Sequence, residues 1–112
     1  MRIAIPVVNG QLARHFGHCQ EFMLFDVDSD SATVGDARSL QAPLHEPGLL
    51  PRWLKDHGVD VVIAGGMGRR AQDLFAQSGV EVVVGAVSDE PRSIVEEHLS
   101  GALAAGDNPC DH

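Results

Sequence analysis

Residues 59–70 read Val59-Asp60-Val61-Val62-Ile63-Ala64-Gly65-Gly66-Met67-Gly68-Arg69-Arg70, and residues 80–85 read Val80-Glu81-Val82-Val83-Val84-Gly85. Each opens on a β-branched run too short for a helix and closes on glycine, the pattern of a buried parallel strand. Between them, Ala71, Leu74, Phe75 and Ser78 fall on one helical face, so the intervening segment is an amphipathic helix with its stripe turned to a sheet. A strand, a helix and a second strand in one sheet form a right-handed parallel crossover, which sets the class as α/β.

On the N-terminal side the pattern changes from parallel to antiparallel. Ile3, Ile5 and Val7 alternate with Ala4, Pro6 and Val8 in a first strand that stops at the turn signal Asn9-Gly10, and a loop runs to about Gln20. Phe22 to Val27, the turn Asp28-Ser29-Asp30-Ser31 and a weaker run from Ala32 to Leu40 make a hairpin. Two prolines and a glycine hold Gln41 to Gly48 out of regular structure. Leu49, Leu50, Trp53 and Leu54 then recur at helical spacing, with Pro51 in the first turn and Gly58 after His57 as the stop. On the C-terminal side, Ser88 or Asp89 is the expected cap of a last helix that starts near Pro91 and buries Ile94, Val95, His98 and Leu99. The expected fold is a mixed sheet, an antiparallel hairpin half joined to a parallel βαβ half and flanked by about three helices, in one domain over residues 1–105 with residues 106–112 as a tail.

Composition narrows the function classes. The 112 residues are 44% hydrophobic, enough for one modest core without disulfide stapling. Lys+Arg 8 against Asp+Glu 16 leaves a net charge of -8, which repels a polyphosphate backbone, so nucleic acid is not an expected partner. The apolar start Ile3 to Val8 is too short for a signal h-region or a membrane span, and the expected location is the cytoplasm. Cys19 and Cys110 lie far apart, each with a histidine one or two residues away, a pattern of reduced thiols or metal ligands more than of a disulfide framework.

Chemistry concentrates in three places. The first is Arg14-His15-Phe16-Gly17-His18-Cys19, where two imidazoles, a thiol and a guanidinium share one loop. His15, His18 and Cys19 are ligand types that zinc, copper and iron-sulfur species accept, and Gly17 permits the bend that would converge them. The competing reading makes one histidine a strand-end cap and Cys19 a small core residue. The second is Gly65-Gly66-Met67-Gly68-Arg69-Arg70, at the turn from strand into helix. A helix start directs N–H groups and the positive dipole end outward, and two arginines add fixed charge, so an anion is the natural ligand; otherwise this is a glycine turn with two solvated arginines. Gly66 to Ala71 also fits a G-x-G-x-x-A dinucleotide pattern, but the next strand ends Val84-Gly85 without the acidic residue that holds a ribose.

The third place comprises His45 in the proline-rich loop, expected near the same sheet edge, and the closing Cys110-Asp111-His112, whose C-x-H pair is either a metal clasp or an idle terminus. Catalysis has little support. A phosphate-binding Cys-x5-Arg loop would need arginine where Phe25 stands, and no paired carboxylates or Ser-His-Asp order occurs, so the chain is not expected to be an enzyme.

Over nearly its whole length the chain resembles the dinitrogenase iron-molybdenum cofactor biosynthesis family, especially its small single-domain members from anaerobes. The resemblance rests on Met1 to Val7, on His15-Phe16-Gly17-His18-Cys19 followed by Phe22, on Val59 to Arg70, on Phe75 to Gly85 and on Asn108-Pro109-Cys110-Asp111-His112. Three further segments, His45-Glu46-Pro47-Gly48, Pro51-Arg52-Trp53-Leu54 and Gly65-Gly66-Met67-Gly68, look most like its orange-protein group. The resemblance implies a ribonuclease-H-like α/β fold without nuclease function that carries a molybdenum-copper sulfide cluster held noncovalently, or alternatively an iron-molybdenum or iron-sulfur cluster. Arg14, Arg69 and Arg70 would then stabilise its charge, His15, His18 and His45 would hydrogen-bond or coordinate it, and protein partners would be transient. A protein-interaction or regulatory module with a vestigial pocket is the second expectation, and a nucleotide-dependent enzyme the third.

Overall fold

The computed structural model describes residues 1–14, 16, 20–28, 30–31, 33–43, 48–86 and 88–101. The elements follow in the order β1 (Arg2–Val8), β2 (Gln11–Leu12), β3 (Glu21–Asp28), β4 (Thr33–Gln41), α1 (Leu49–Asp56), β5 (Val61–Ile63), α2 (Arg69–Gln77), β6 (Glu81–Val83) and α3 (Pro91–Ser100). They build a single mixed sheet in the order β4-β3-β1-β5-β6, with β2 paired to β1. β1 runs antiparallel to β3 and parallel to β5, which is itself parallel to β6. The hairpin half and the βαβ half therefore meet at β1.

The alternation of β1 divides the core between two faces. Ala4 joins Phe22, Leu24 and Val62 under α1 and α2, which contribute Leu50, Leu54 and Phe75. Ile3, Ile5 and Val7 join Phe25 and Val27 under α3, which contributes Ile94 and Val95. A strand buried on both faces explains why β1 reads as apolar at every position from Ile3 to Val8.

Pro6 sits inside this central strand without breaking it. Met1 and Val27 exchange both hydrogen bonds, so residues 3, 5 and 7 bond to β3 and residues 2, 4 and 6 turn toward β5. β5 pairs only with Ile3 and Ala4, since Pro6 has no N–H with which to carry the parallel ladder further. The Pro6 carbonyl accepts from Ala13 at 2.9 Å, which folds the following loop back over the strand end.

Three expectations are corrected. The Asn9-Gly10 signal does not simply end β1: both residues take positive φ, 53° and 80°, in a two-residue turn that pairs Val8 with Gln11 and creates β2. Neither Ser88 nor Asp89 caps α3; Glu90 occupies the cap position without a side-chain bond, and Pro91 as the first helical residue presets φ for the helix start. His98 and Leu99 are half-buried, not buried, since α3 turns its first two turns to the sheet. β4 also carries a bulge, with Gly35 and Asp36 facing Asp26 alone; a Cβ on Gly35 would stand 3.0 Å from the Asp26 carbonyl oxygen, and Arg92 donates to the Gly35 carbonyl at 3.2 Å.

At the opposite end of the sheet, Arg2 joins three elements. Its Nε contacts Asp26 Oδ1 at 2.7 Å, its Nη1 donates to the His57 carbonyl at 2.6 Å, and its backbone N–H donates to Asp60 Oδ2 at 2.9 Å. The Arg2 guanidinium holds the Asp26 carboxyl below the usual carboxylate range.

Candidate functional site

The carboxyl ends of β1, β5 and β6 open on one edge, and on that edge the chain passes from strand to loop in each case. In sheets of this kind, ligands bind outside the carboxyl ends where the connections diverge. Here they diverge at β1, whose outgoing chain turns to the hairpin half while β5 leads through α2 to β6.

The glycine segment after β5 is the centre of this edge. Gly65 and Gly66 are buried, Met67 is 0% exposed, and Gly68, Arg69 and Arg70 are exposed. A Cβ on Gly65 would stand 3.3 Å from the Ala13 carbonyl oxygen and 3.4 Å from that of Arg14. Gly65 thus makes room for the loop after β1, not for a ligand. Gly68 differs: a Cβ there would meet nothing within 4 Å, and its φ of -64° suits any residue. Its missing side chain leaves open space at the mouth of α2.

Backbone hydrogen bonds tie the segment down one peptide at a time. The Gly65 carbonyl accepts from Gly85 at 2.8 Å, the Gly66 carbonyl accepts from Phe16 at 2.9 Å, and the Met67 carbonyl accepts from Gln72 Nε2 at 2.9 Å. The Gly68 carbonyl accepts from the Gln72 amide at 3.1 Å, the first bond of α2. α2 starts with no side-chain cap and no acidic residue in its own first turn, which carries Arg69 and Arg70 instead, so that turn leaves the positive end of the helix dipole uncompensated.

Arg14 is exposed on the loop whose carbonyls pack against Gly65, so one arginine flanks the segment from the β1 side and two from the α2 side. Phe16 follows it inward, 7% exposed, with ring centroids 5.7 Å from Phe22 and 5.4 Å from Phe75. Phe16 therefore anchors the loop in the core, and Met67 likewise belongs to the core cluster; of the candidate site residues, these two contribute to the edge through their backbone. His15, Gly17, His18, Cys19, His45, Cys110 and His112 lie outside the described residues. Among the described residues no group of three or more His, Cys, Asp or Glu side chains is placed to hold a metal ion, and no helix is long and apolar enough to cross a membrane. The described edge thus offers backbone donors and guanidinium charge, the complement of a bulky anion. Gln72 was not singled out in the sequence, where a glutamine on a polar helix flank carries no signal.

Fold and edge together define a small α/β protein with one glycine-rich, arginine-flanked helix start at the diverging end of a mixed sheet. The chain belongs to the dinitrogenase iron-molybdenum cofactor family, whose profile matches residues 1–101. It is similar to the crystal structure of PH0822, with a TM-score of 0.85, 31% identity and 94% of each chain covered. It is also 28% identical over 85 residues to the uncharacterized protein MJ0580 of Methanocaldococcus jannaschii, covering 73% of this chain and 72% of that protein. Its fold is shared with the apo form of the orange protein from Desulfovibrio gigas, at a TM-score of 0.71 and 22% identity over 96% of this chain and 94% of the other.

Proposed function

We propose that this protein binds and carries an anionic metal-sulfur cofactor at the edge between the loop after β1 and the start of α2, and that it is not itself an enzyme. The observation that carries the reading is the α2 start. In a chain of net charge -8, a helix mouth with no capping side chain, no acidic first-turn residue and open space at Gly68 stands beside exposed Arg69, Arg70 and the Arg14 loop. Local positive potential against an acidic background selects multiply charged anions and keeps them from dispersing over the surface. Membership of a family defined by the iron-molybdenum cofactor of dinitrogenase supports a metal-sulfur identity for that anion.

Within this reading, a molybdenum-copper sulfide cluster held noncovalently is the preferred cargo, and an iron-molybdenum or iron-sulfur cluster the alternative. The resemblance to the orange-protein group supports that cargo, and the donor set of the described residues, amide and guanidinium N–H groups, supplies charge and hydrogen bonds for it. Transient protein partners would deliver or receive the cluster. The test is anaerobic reconstitution with thiomolybdate and copper, and in parallel with iron and sulfide. A stable chromophore that co-elutes with the protein in either is the expected result, and a colourless protein in both would remove the proposal.

A further inference from the structure

We infer that Gln72 is the positioning residue that makes this edge an anion site, by fixing which way the Met67–Gly68 peptide faces. The inference rests on the proposed cofactor-binding reading and adds the residue that sets its selectivity. A trans peptide holds its C=O and N–H in opposite directions, so a carbonyl tied on one side commits the next residue's N–H to the other. Gly65 and Gly66 have their carbonyls tied by backbone donors, Gly85 and Phe16. The Met67 carbonyl is the exception, held at 2.9 Å by a side chain, Nε2 of Gln72.

With that bond made, peptide planarity turns the Gly68 N–H away from the Gln72 side chain, on a residue whose Cβ position is itself open, with nothing within 4 Å. Loss of that bond removes the restraint that the Gln72 side chain places on the peptide, and glycine at position 68 is compatible with a rotated peptide that would present the Met67 carbonyl in place of an N–H. A carbonyl repels an anion and attracts a cation. Gln72 is itself fixed, because its own amide makes the first helical bond of α2 to the Gly68 carbonyl at 3.1 Å. One residue thus closes a ring around Met67 and Gly68 from both its backbone and its side chain. The ligand class that follows is an anion that accepts hydrogen bonds from consecutive backbone amides, a description that a tetrahedral sulfide or oxyanion unit fits.

The test uses Gln72→Met, which keeps length and neutrality and removes the side-chain amide, and with it the donor to Met67. Tetrathiomolybdate is titrated into the native chain and the variant while amide resonances are followed by NMR, and inorganic phosphate serves as a second probe. The native chain is expected to show saturable movement of the Gly68 amide, and the variant to lose about tenfold in affinity, the cost of one charge-assisted hydrogen bond, with its melting temperature retained. Equal affinity and equal Gly68 movement in the variant would overturn the role of Gln72 while leaving the cofactor reading standing. A native chain that binds neither probe would overturn both. Should Gln72→Met lower the melting temperature, the native titration decides: a Gly68 amide that stays still while the probe binds elsewhere refutes the inference.

Discussion

Two glycines three residues apart do opposite work, and substituting each separates packing from binding. Gly65 is pressed between loops: alanine there would drive its Cβ to 3.3 and 3.4 Å from two backbone oxygens that have no side-chain freedom to yield. Gly65→Ala is expected to cost about 1–3 kcal/mol, read by urea denaturation. Gly68 has ordinary φ and no neighbour within 4 Å. Gly68→Ala should change stability by no more than about 1 kcal/mol, the reduced unfolded-state entropy being opposed by alanine's poor fit to the cap position, yet weaken thiomolybdate binding because the methyl group occupies the cradle. A variant that binds as the native chain does would show that the ligand never approaches Gly68. The charge side of the site is tested by Arg69→Glu together with Arg70→Glu, expected to lower thiomolybdate affinity by at least about tenfold in a titration at constant ionic strength.

At the scale of elements, Arg2 secures β1 to β3 and to the end of α1. Its contact with the His57 carbonyl places a cation at the C-terminus of α1, where the helix dipole favours it. Arg2→Ala should cost about 1–2 kcal/mol, mostly through the loss of that half-buried bond, since the Asp26 carboxylate is well exposed. The Asp26 carboxyl is held low by its hydrogen bond to Arg2. Its contribution to stability is therefore full above the unfolded-state value near 3.8 and fades as pH falls through the lower folded-state value. Asp26→Asn should accordingly flatten the acid limb of a stability profile below about pH 4 and leave its neutral limb nearly parallel to that of the native chain. An unchanged acid limb would show that the Arg2 contact does not persist in solution.

Elements were legible in the sequence where hydrophobic period alone decides them. The βαβ half was plain because β-branched runs and a helical stripe are contiguous, whereas the alternation read in β1 identifies a strand but not that both of its faces are buried. β2 was not legible, since two residues carry no period; only the positive φ of Asn9 and Gly10, a property of turn geometry, produces it. The α3 start is not legible from residue type, because Ser88 and Asp89 satisfy the cap preference while the helix begins at Pro91, one residue later than Asp89 as cap would set it. At the site, the placement of the glycines and arginines at the turn from β5 into α2 was legible in advance. Composition does not say which glycine admits a ligand and which admits a neighbouring loop, nor that Gln72 reaches back to Met67, because both depend on a register that only the assembled edge supplies.

For the molecule as a whole, an acidic body with one basic mouth makes cargo binding sensitive to salt. Affinity for thiomolybdate should fall as ionic strength rises. Bound cargo should in turn raise the melting temperature, by mass action on the native state. The most direct test of the account is elemental analysis with a visible absorption spectrum on protein purified anaerobically from its native host. The account predicts a coloured protein with a stoichiometric metal-sulfide complement, molybdenum with copper and sulfide in the preferred form. A colourless, metal-free protein that also fails to bind thiomolybdate on reconstitution would contradict it.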